Sequence, residues 1–235
     1  MGEIYSGQVV LVAGGTGGLG RAVSIAFLEE GATLAVTYRR QSEFESLRDV
    51  AGAHASRLDG YSLDVTNDAA IQQMISSVAT KHGRLDALTN ALGGYAAGQK
   101  LWETEPKVFD QMFSLNFYSG YFLMRSVVPV MLKQGRGAIV NVASMSAIDH
   151  ASSAAAYAAS KAAAVAMVDS LAADLKGTGI RANSILPSII DTEANRKAMP
   201  SADFAKWPKT GDIARVILFL CSDAAKLIHG ASIPV

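Results

Sequence analysis

The residues best suited to chemistry are Tyr157 and Lys161, in the run Tyr157-Ala-Ala-Ser-Lys161. The surrounding sequence is rich in alanine and predicts a helix, so both side chains project from one helical face. A free tyrosine titrates near pH ~10, too high for proton transfer at neutral pH. A lysine ammonium one turn away favours the phenolate, which makes Tyr157 a candidate general acid or base with a lowered pKa. The alternative is a helix that carries a partly exposed tyrosine and a solvated lysine.

A serine stands just beyond the strand predicted at residues 137–143, and its hydroxyl is a second chemical group. Ser144 follows the apolar run Ile139-Val-Asn-Val-Ala143. A hydroxyl at this strand end can donate to a substrate carbonyl oxygen alongside Tyr157. The alternative is an ordinary turn serine, and Ser146 is a competing hydroxyl two residues later.

Glycines dominate the turn between the first predicted strand and the first predicted helix, in the run Gly14-Gly15-Thr16-Gly17-Gly18-Leu19-Gly20. Glycines there allow a tight turn and let the backbone approach a pyrophosphate, while the helix N-terminus supplies amide donors. The alternative is a flexible turn without a ligand. The strand before and the helix after favour a dinucleotide.

The second predicted strand ends in Tyr38-Arg39-Arg40, with no acid before Glu43. An acid at this point usually binds the ribose hydroxyls of the adenosine. A guanidinium instead suits a 2′-phosphate, because it donates bidentate charge-assisted hydrogen bonds. The sequence therefore favours NADP(H) over NAD(H), and the alternative is a solvated pair of loop arginines.

Short β-branched runs alternate with longer helical stretches along the whole chain. This order predicts a doubly wound α/β fold with a parallel sheet of about seven strands between layers of helices. No break in composition suggests a second domain, so residues 1–235 are expected to form a single Rossmann-type domain. The strands are predicted at residues 8–13, 33–37, 86–90, 137–143 and 180–186. Helices are predicted at residues 18–30, 106–132 (one or two helices) and 210–222. Three more are predicted with one end defined: one begins at about residue 42, one ends at about residue 82, and one ends at about residue 176.

Composition excludes several other classes of function. Acidic and basic side chains balance at 21 each, which gives no support for a nucleic-acid partner or an acidic membrane surface. No apolar stretch reaches the ~18 residues that suggest a membrane span. The four histidines are scattered, so no metal site is expected. The cytoplasm is the expected location, and the single cysteine, Cys221, is expected to be a buried small hydrophobe.

Taken together, the motifs resemble those of the short-chain dehydrogenase/reductase family over nearly the whole chain. Each motif is weak alone, but their number and order are specific. There are departures: Ala13 stands where the family usually has threonine, and Ser188 where a glycine follows the proline. The matching residues are Gly14, Gly18, Gly20, Asp64, Asn90, Gly93, Asn116, Ser144, Tyr157, Lys161, Pro187 and Thr192.

The resemblance implies a role for each matching residue. Tyr157 would be the general acid/base, and Lys161 would hold the nicotinamide ribose and lower the Tyr157 pKa. Ser144 would orient the carbonyl, and Asn116 would anchor a water of a proton relay. The implied cofactor contacts are Gly14, Thr16, Gly18, Leu19, Gly20, Tyr38, Arg39, Arg40, Asp64, Val65, Asn90, Ala91, Gly93, Tyr157, Lys161, Pro187, Ile190 and Thr192.

Some of these contacts have structural alternatives. Asp64 with Val65 would face the adenine, but Asp64 also suits the N-terminus of the following helix. Asn90 is equally suited to stabilising the sheet. Thr192 and the Ile190 backbone would hold the nicotinamide carboxamide.

The expected activity is an NADP(H)-dependent carbonyl reductase or alcohol dehydrogenase that acts on a small or apolar ketone or alcohol. One alternative is a dihydropteridine reductase, because residues 191–207 and Gly93-Gly94-Tyr95 are similar to those enzymes. Another is a cofactor-binding regulator without turnover. The pocket lining is expected at Tyr95, Met145, Ile148, Ile189 and Met199, under a lid at residues 193–207. Two apolar helices, at residues 116–132 and 153–176, predict a homo-oligomer, dimer or tetramer.

Overall fold

The β-branched runs of the sequence form seven parallel strands of one sheet, in a computed structural model that describes residues 3–235. The strands follow the order β3-β2-β1-β4-β5-β6-β7 across the sheet. The chain order reverses between β1 and β4, which is the place where doubly wound sheets bind ligands at the carboxyl ends of their strands. The strands are β1 (Val9–Ala13), β2 (Thr33–Tyr38), β3 (Leu58–Ser62), β4 (Ala87–Asn90), β5 (Gly137–Val142), β6 (Ile180–Leu186) and β7 (Ser232–Pro234).

Helices connect successive strands and cover both faces of the sheet. Gly83 and Gly135 end two of them with φ of 72° and 67°, a left-handed conformation that glycine adopts without steric cost. Within residues 3–235, no helix combines the length and the apolar character that crossing a membrane requires. The helices are α1 (Gly18–Glu29), α2 (Gln41–Ala51), α3 (Asp68–His82), α4 (Pro106–Phe113), α5 (Ser119–Gln134), α6 (Ala155–Asp174), α7 (Glu193–Ala198) and α8 (Thr210–Cys221).

The core consists of two apolar layers, one on each face of the sheet. Along β1, Val10 and Val12 face the layer that includes Phe27 of α1 and Ile217 of α8. The alternate residues Val9, Leu11 and Ala13 face the layer formed with α3, α5 and α6. Because successive strand side chains point to opposite faces, an almost continuous apolar strand is what a sheet covered on both sides requires.

The predicted fold class is confirmed, and most element bounds are correct to within one or two residues. The helical stretch at residues 106–132 is two helices, α4 and α5, joined by a π-helical turn at Ser114–Tyr118. The strands β3 and β7 were not delimited by the sequence patterns. β3 lies at one edge of the sheet and half of it is exposed, and β7 has only three residues, so neither leaves a strong apolar run.

Candidate active site and cofactor site

Tyr157 and Ser144 meet at the carboxyl edge of the sheet, as the sequence predicts. Tyr157 lies in the first turn of α6, and Ser144 follows β5 as the N-cap of a short 3₁₀ turn at Met145–Ala147. The Ser144 hydroxyl faces the Tyr157 phenol and acts to lower its pKa. It also accepts a hydrogen bond from the Ser146 backbone N–H at 3.1 Å. Ser146 therefore supports Ser144 through its backbone, and Ser144 is the hydroxyl that faces the tyrosine.

The surroundings of Tyr157 favour its protonated form. Burial raises the pKa of Tyr157, the hydrogen bond from Ser144 partly opposes this, and Tyr95 raises the pKa further. The Tyr95 ring stands edge-on to the Tyr157 ring, with centroids 4.9 Å apart and an interplanar angle of 76°. These surroundings favour a protonated phenol at neutral pH, with its ring packed against Tyr95.

Lys161 is buried behind the tyrosine, with only 5% of the residue exposed. Its ammonium donates a hydrogen bond to the Val142 carbonyl at 3.0 Å. Burial lowers the pKa of Lys161 to about 8. Lys161 is not among the groups that shift the Tyr157 pKa in this structure, because desolvation dominates at Tyr157 and the ammonium is engaged with the end of β5. That Lys161 lowers the Tyr157 pKa stays a prediction.

Asn116 lies in the π-helical turn and is locked by protein contacts. Its Oδ1 accepts from the Gly94 N–H at 2.8 Å, and its Nδ2 donates to the Gly94 carbonyl at 3.1 Å. The same Nδ2 donates to Ser160 Oγ at 2.9 Å, and Ser160 donates to the Tyr157 carbonyl at 2.8 Å. Ser160 was missed by the sequence analysis, although its position beside Lys161 on the helix was a signal. It joins Asn116 to the helix that carries the tyrosine.

The Lys161 and Asn116 side chains also meet at Gly93, after β4. A Cβ on Gly93 would lie 2.9 Å from Asn116 Oδ1 and 3.2 Å from Lys161 Nζ. Glycine at this position therefore leaves the space that the two polar side chains occupy. Three of the predicted site residues, from the end of β4, the π-helical turn and α6, are thereby brought together.

The glycine turn is as tight as predicted. Gly14 has φ 76°, its N–H donates to Thr37 Oγ1 at 2.8 Å, and its carbonyl accepts from the Gly17 N–H at 3.1 Å. A Cβ on Gly20 would lie 2.0 Å from the Gly14 carbonyl oxygen, closer than any real contact. Thr37, a buried residue of β2, was missed by the sequence analysis and anchors the turn. The backbone can therefore approach a ligand at the N-terminus of α1.

The arginines after β2 have different partners. Arg40 forms an ion pair with Glu43, whose second carboxylate oxygen accepts from Thr16 Oγ1 at 3.4 Å. Arg39 is exposed, and its charge contributes to lowering the pKa of Asp64. Tyr38 stacks on Phe44, with ring centroids 4.8 Å apart. The loop thus presents Arg39 next to the predicted adenine side and holds Arg40 against Glu43.

Asp64 and Asn90 both have partners within the protein, but only Asn90 makes the contact that its structural alternative anticipated. The Asp64 carboxylate accepts from the Thr66 N–H at 2.9 Å and from the Thr66 hydroxyl at 2.7 Å. These two hydrogen bonds are the main cause of its lowered pKa. The N-cap of α3 is Asn67 rather than Asp64. Asn90 Nδ2 donates to Asn141 Oδ1 at 2.9 Å and so ties β4 to β5.

The remaining predicted contacts line the same crevice or support it. The Thr192 side chain packs on Gly18, where a Cβ would lie 2.9 Å from Thr192 Cγ2. The Ile190 carbonyl accepts from the Thr192 N–H at 2.9 Å, and the Pro187 carbonyl accepts from the Met145 N–H at 2.9 Å. Among the other predicted contacts, Leu19 and Val65 are buried and Ala91 is half-buried.

These features fit a dinucleotide cofactor. The glycine turn leaves no side chain between the backbone and a pyrophosphate, and the first turn of α1 carries no acid that would repel it. Arg39 adds an exposed cation at the adenosine side. Thr192 packs its side chain on Gly18, at the start of the same helix.

Comparisons with known proteins agree with this geometry. A family model described as enoyl-(acyl carrier protein) reductase matches residues 13–235. The 3-oxoacyl-[acyl-carrier-protein] reductase FabG of Thermotoga maritima is 31% identical, over 97% of this chain and 96% of its own. D-threitol dehydrogenase of Mycolicibacterium smegmatis is 33% identical, over 97% and 91%. The solved structure of ElxO with NADP bound has a TM-score of 0.92 at 28% identity, over 97% and 96%.

The relatives are dehydrogenases and reductases, which supports the predicted enzyme over the alternative of a regulator without turnover. Sequence motifs, sheet order and relatives covering nearly the full chain all lead to one assignment. The chain belongs to the short-chain dehydrogenase/reductase family and is an NAD(P)-dependent oxidoreductase.

Proposed function

We propose that the enzyme interconverts a ketone and a secondary alcohol with NADP(H), using Tyr157 as the general acid/base. The observation that carries this proposal is the pair of hydroxyls on Tyr157 and Ser144, which lie close enough for Ser144 to lower the Tyr157 pKa. A substrate carbonyl oxygen between them receives two donors. Such donors stabilise the negative charge that develops on the oxygen during reduction.

Tyr157 and Ser144 have different roles at the substrate oxygen. When bound, the nicotinamide cofactor supplies or accepts the hydride. Tyr157 donates its phenolic proton to the substrate oxygen during reduction, and its raised pKa keeps that proton available at neutral pH. Ser144 orients the oxygen.

Lys161 and Asn116 act behind the tyrosine. With its pKa lowered to about 8, Lys161 is close enough to neutral pH to return a proton, while its ammonium form would hold the ribose of the cofactor. Asn116 is held rigidly by Gly94 and Ser160, so its turn keeps a constant position beside the ammonium. This arrangement would connect the phenol to solvent after each turnover.

NADP(H) is favoured because Arg39 is exposed on the adenosine side of the crevice. A guanidinium there would bind a 2′-phosphate by charge-assisted hydrogen bonds. Glu43 works in the opposite direction: its carboxylate neutralises Arg40 and lies next to Thr16 of the glycine turn. NADH is thus expected to bind as well, but more weakly.

The substrate is proposed to be a mainly apolar ketone or alcohol. Tyr95 is 72% exposed although it contacts Tyr157, and Ile148 and Ile189 are 58% and 45% exposed. These side chains give the mouth of the site an apolar lining. The names of two relatives, a 3-oxoacyl-[acyl-carrier-protein] reductase and a D-threitol dehydrogenase, are consistent with chemistry at a carbonyl or a hydroxyl-bearing carbon.

A homotetramer in the cytoplasm is proposed as the working form. Tyr118 and Tyr121, at the start of α5, are 48% and 40% exposed, and α6 presents mostly alanine to its outer face. Small side chains on α6 allow a second helix to approach closely, which suits pairing across a two-fold axis. Light scattering should give four times the monomer mass, and a monomer at micromolar concentration would contradict the proposal.

The test follows NADPH and NADH oxidation with a panel of carbonyls: an acetoacetyl thioester, a diketone, a quinone, an aromatic aldehyde and a quinonoid dihydropteridine. Tyr157→Phe should lower turnover at least ~100-fold while the NADPH dissociation constant stays within about twofold. Ser144→Ala should be impaired and Ser146→Ala should be close to wild type. Turnover by Tyr157→Phe at the wild-type rate would refute the assignment of the acid/base.

A further inference from the structure

The connection between β6 and α8 is tied together at its two ends. We call residues 191–209 the lid segment, since it includes Thr192, whose side chain packs on Gly18 of the glycine turn. Asp191 at its start and Lys209 at its end form an isolated parallel bridge, and the Asp191 N–H donates to the Pro208 carbonyl at 3.0 Å. The segment therefore leaves and rejoins the fold at almost the same point.

One carboxylate holds three parts of this segment. Asp191 has a side chain only 6% exposed, and it accepts from Arg196 Nε at 2.5 Å and Nη2 at 2.7 Å. It also accepts from Lys209 Nζ at 2.6 Å, and that ammonium donates to the Phe204 carbonyl at 3.0 Å. The Arg196 guanidinium in turn lies over the Phe204 ring, 4.9 Å from its centroid.

This network is a built feature rather than a chance surface ion pair. The bidentate geometry of Arg196 on a carboxylate is the strongest form of such a contact. Arg196 and Lys209 hold the pKa of Asp191 well below its usual range, so the carboxylate stays ionised throughout the neutral and mildly acidic range. By contrast, Glu193 and Lys197 on the same segment form a simple pair with side chains 81% and 75% exposed.

The network lies directly against the cofactor crevice. Thr192, the next residue, packs its methyl group where a Cβ on Gly18 would lie, and it caps α7 by accepting from the Asn195 N–H at 3.2 Å. Asn195 Nδ2 donates to the Ile190 carbonyl at 2.8 Å. Any movement of Asp191 therefore moves the two residues that flank it, which are the ones proposed to contact the nicotinamide.

We propose that Asp191 is a positioning residue whose carboxylate latches the lid segment closed against the glycine turn and sets how readily the segment opens for ligand exchange. Its link to cofactor exchange depends on the proposed function. The latch itself does not, because it is a property of the chain without ligand. The closed lid segment would retain the nicotinamide end of the cofactor, together with the substrate beside it.

The experiment compares Asp191→Asn with Glu193→Gln. The first keeps the shape of the side chain and removes its charge, and the second removes the exposed ion pair two residues away. Limited trypsin digestion of the native proteins is followed at Arg196, Lys197, Lys206 and Lys209, all within the lid segment. Cleavage of Asp191→Asn is expected to be about tenfold faster, because the segment opens more often. Glu193→Gln should be cleaved at the wild-type rate.

Two further measurements separate a latch from general destabilisation. Added salt at ~0.5 M should speed cleavage of the wild type and leave Asp191→Asn unchanged, because the latch is made of partly exposed charges that salt screens. NADPH should dissociate several-fold faster from Asp191→Asn in a fluorescence chase, with Asp191→Glu intermediate. Unchanged cleavage of the lid segment in Asp191→Asn, or equally faster cleavage outside it, would overturn the proposal.

The outcomes also distinguish the latch from the proposed function. If no carbonyl is reduced by the wild type but cleavage still responds to Asp191→Asn, the latch stands and the proposed reaction fails. If Tyr157 proves essential and cleavage does not respond, the reaction stands and the latch fails.

Discussion

Replacing Gly20 with alanine is expected to damage the glycine turn, whereas the same change at Gly17 is expected to be harmless. The two positions make a matched pair because an added Cβ faces the same atom, the carbonyl oxygen of Gly14. That Cβ would lie 2.0 Å from the oxygen at Gly20 and 3.4 Å from it at Gly17. The second distance is an ordinary van der Waals contact, and the first is an overlap of more than 1 Å.

The expected loss of stability depends on which atoms must move to make room for the added Cβ. Gly20 also has the Gly15 Cα only 3.1 Å from the added Cβ, so the obstacle is backbone on both sides rather than a flexible side chain. Overpacking of this kind costs about 1–3 kcal/mol, and the upper end applies because no rotamer change relieves it. The higher helix propensity of alanine stabilises the folded state by about 1 kcal/mol and offsets part of this cost. A net loss of about 2 kcal/mol corresponds to a fall in Tm of roughly 4–8 °C for a chain of this size.

The assay is urea and thermal unfolding of wild type, Gly20→Ala and Gly17→Ala, with fluorescence titration of NADPH on each. Gly20→Ala should lose stability as calculated and bind NADPH at least ~100-fold more weakly, since its amides no longer face a pyrophosphate. Gly17→Ala should unfold within about 0.5 kcal/mol of wild type. If Gly20→Ala binds NADPH as wild type does, the turn is not the pyrophosphate site.

Two other outcomes follow from charges in the site. Because the pKa of Lys161 is lowered to about 8, the unfolded chain holds a proton between pH ~8 and ~10.4 that the folded chain lacks, so stability should rise with pH by about 2 kcal/mol between pH 8 and 9.5. Lys161→Met should abolish that slope in urea unfolding; a slope that persists would place the proton elsewhere. Arg39→Gln should raise the NADPH dissociation constant about tenfold and leave NADH unchanged. Arg40→Gln should have the smaller effect, because Arg40 is already paired with Glu43, and equal effects on both cofactors would count against a 2′-phosphate site.

The fold was predictable because its signals are local and repeated. Most buried parallel strands are short apolar runs, so β6 at Ile180–Leu186 was predicted to the residue. Glycines mark the ends of α2, α3 and α5. The edge strand β3 was not delimited because it alternates buried and exposed residues and contains Gly60. The sequence did not decide whether α4 and α5 are one helix or two, because the π-helical turn between them contains no glycine or proline that would mark a helix end.

The candidate site was predictable in its membership but not in its contacts. Residues at the carboxyl ends of parallel strands meet at one edge, so strand order alone brings Gly93, Ser144 and Thr192 together. Which hydrogen bond each side chain makes depends on distances of about an ångström, which spacing does not give. Ser160, Thr37 and Asp191 are polar residues whose importance comes only from partners distant in sequence.

The directions of the Tyr157 and Lys161 pKa shifts could not be predicted from sequence spacing alone. Spacing on a helix predicts that the two side chains share a face, and Coulomb attraction then predicts a lowered tyrosine pKa. In the fold, burial acts on both groups and favours the neutral form of each, so the tyrosine pKa rises and the lysine pKa falls. The two pKa values therefore move apart, with the tyrosine above its ordinary value and the lysine at about 8, so that proton transfer from the lysine ammonium to a tyrosine phenolate is favourable. Within residues 3–235 the Lys161 ammonium has one carbonyl as its hydrogen-bond partner, so burying it is costly, and a costly buried cation is typical of a functional site.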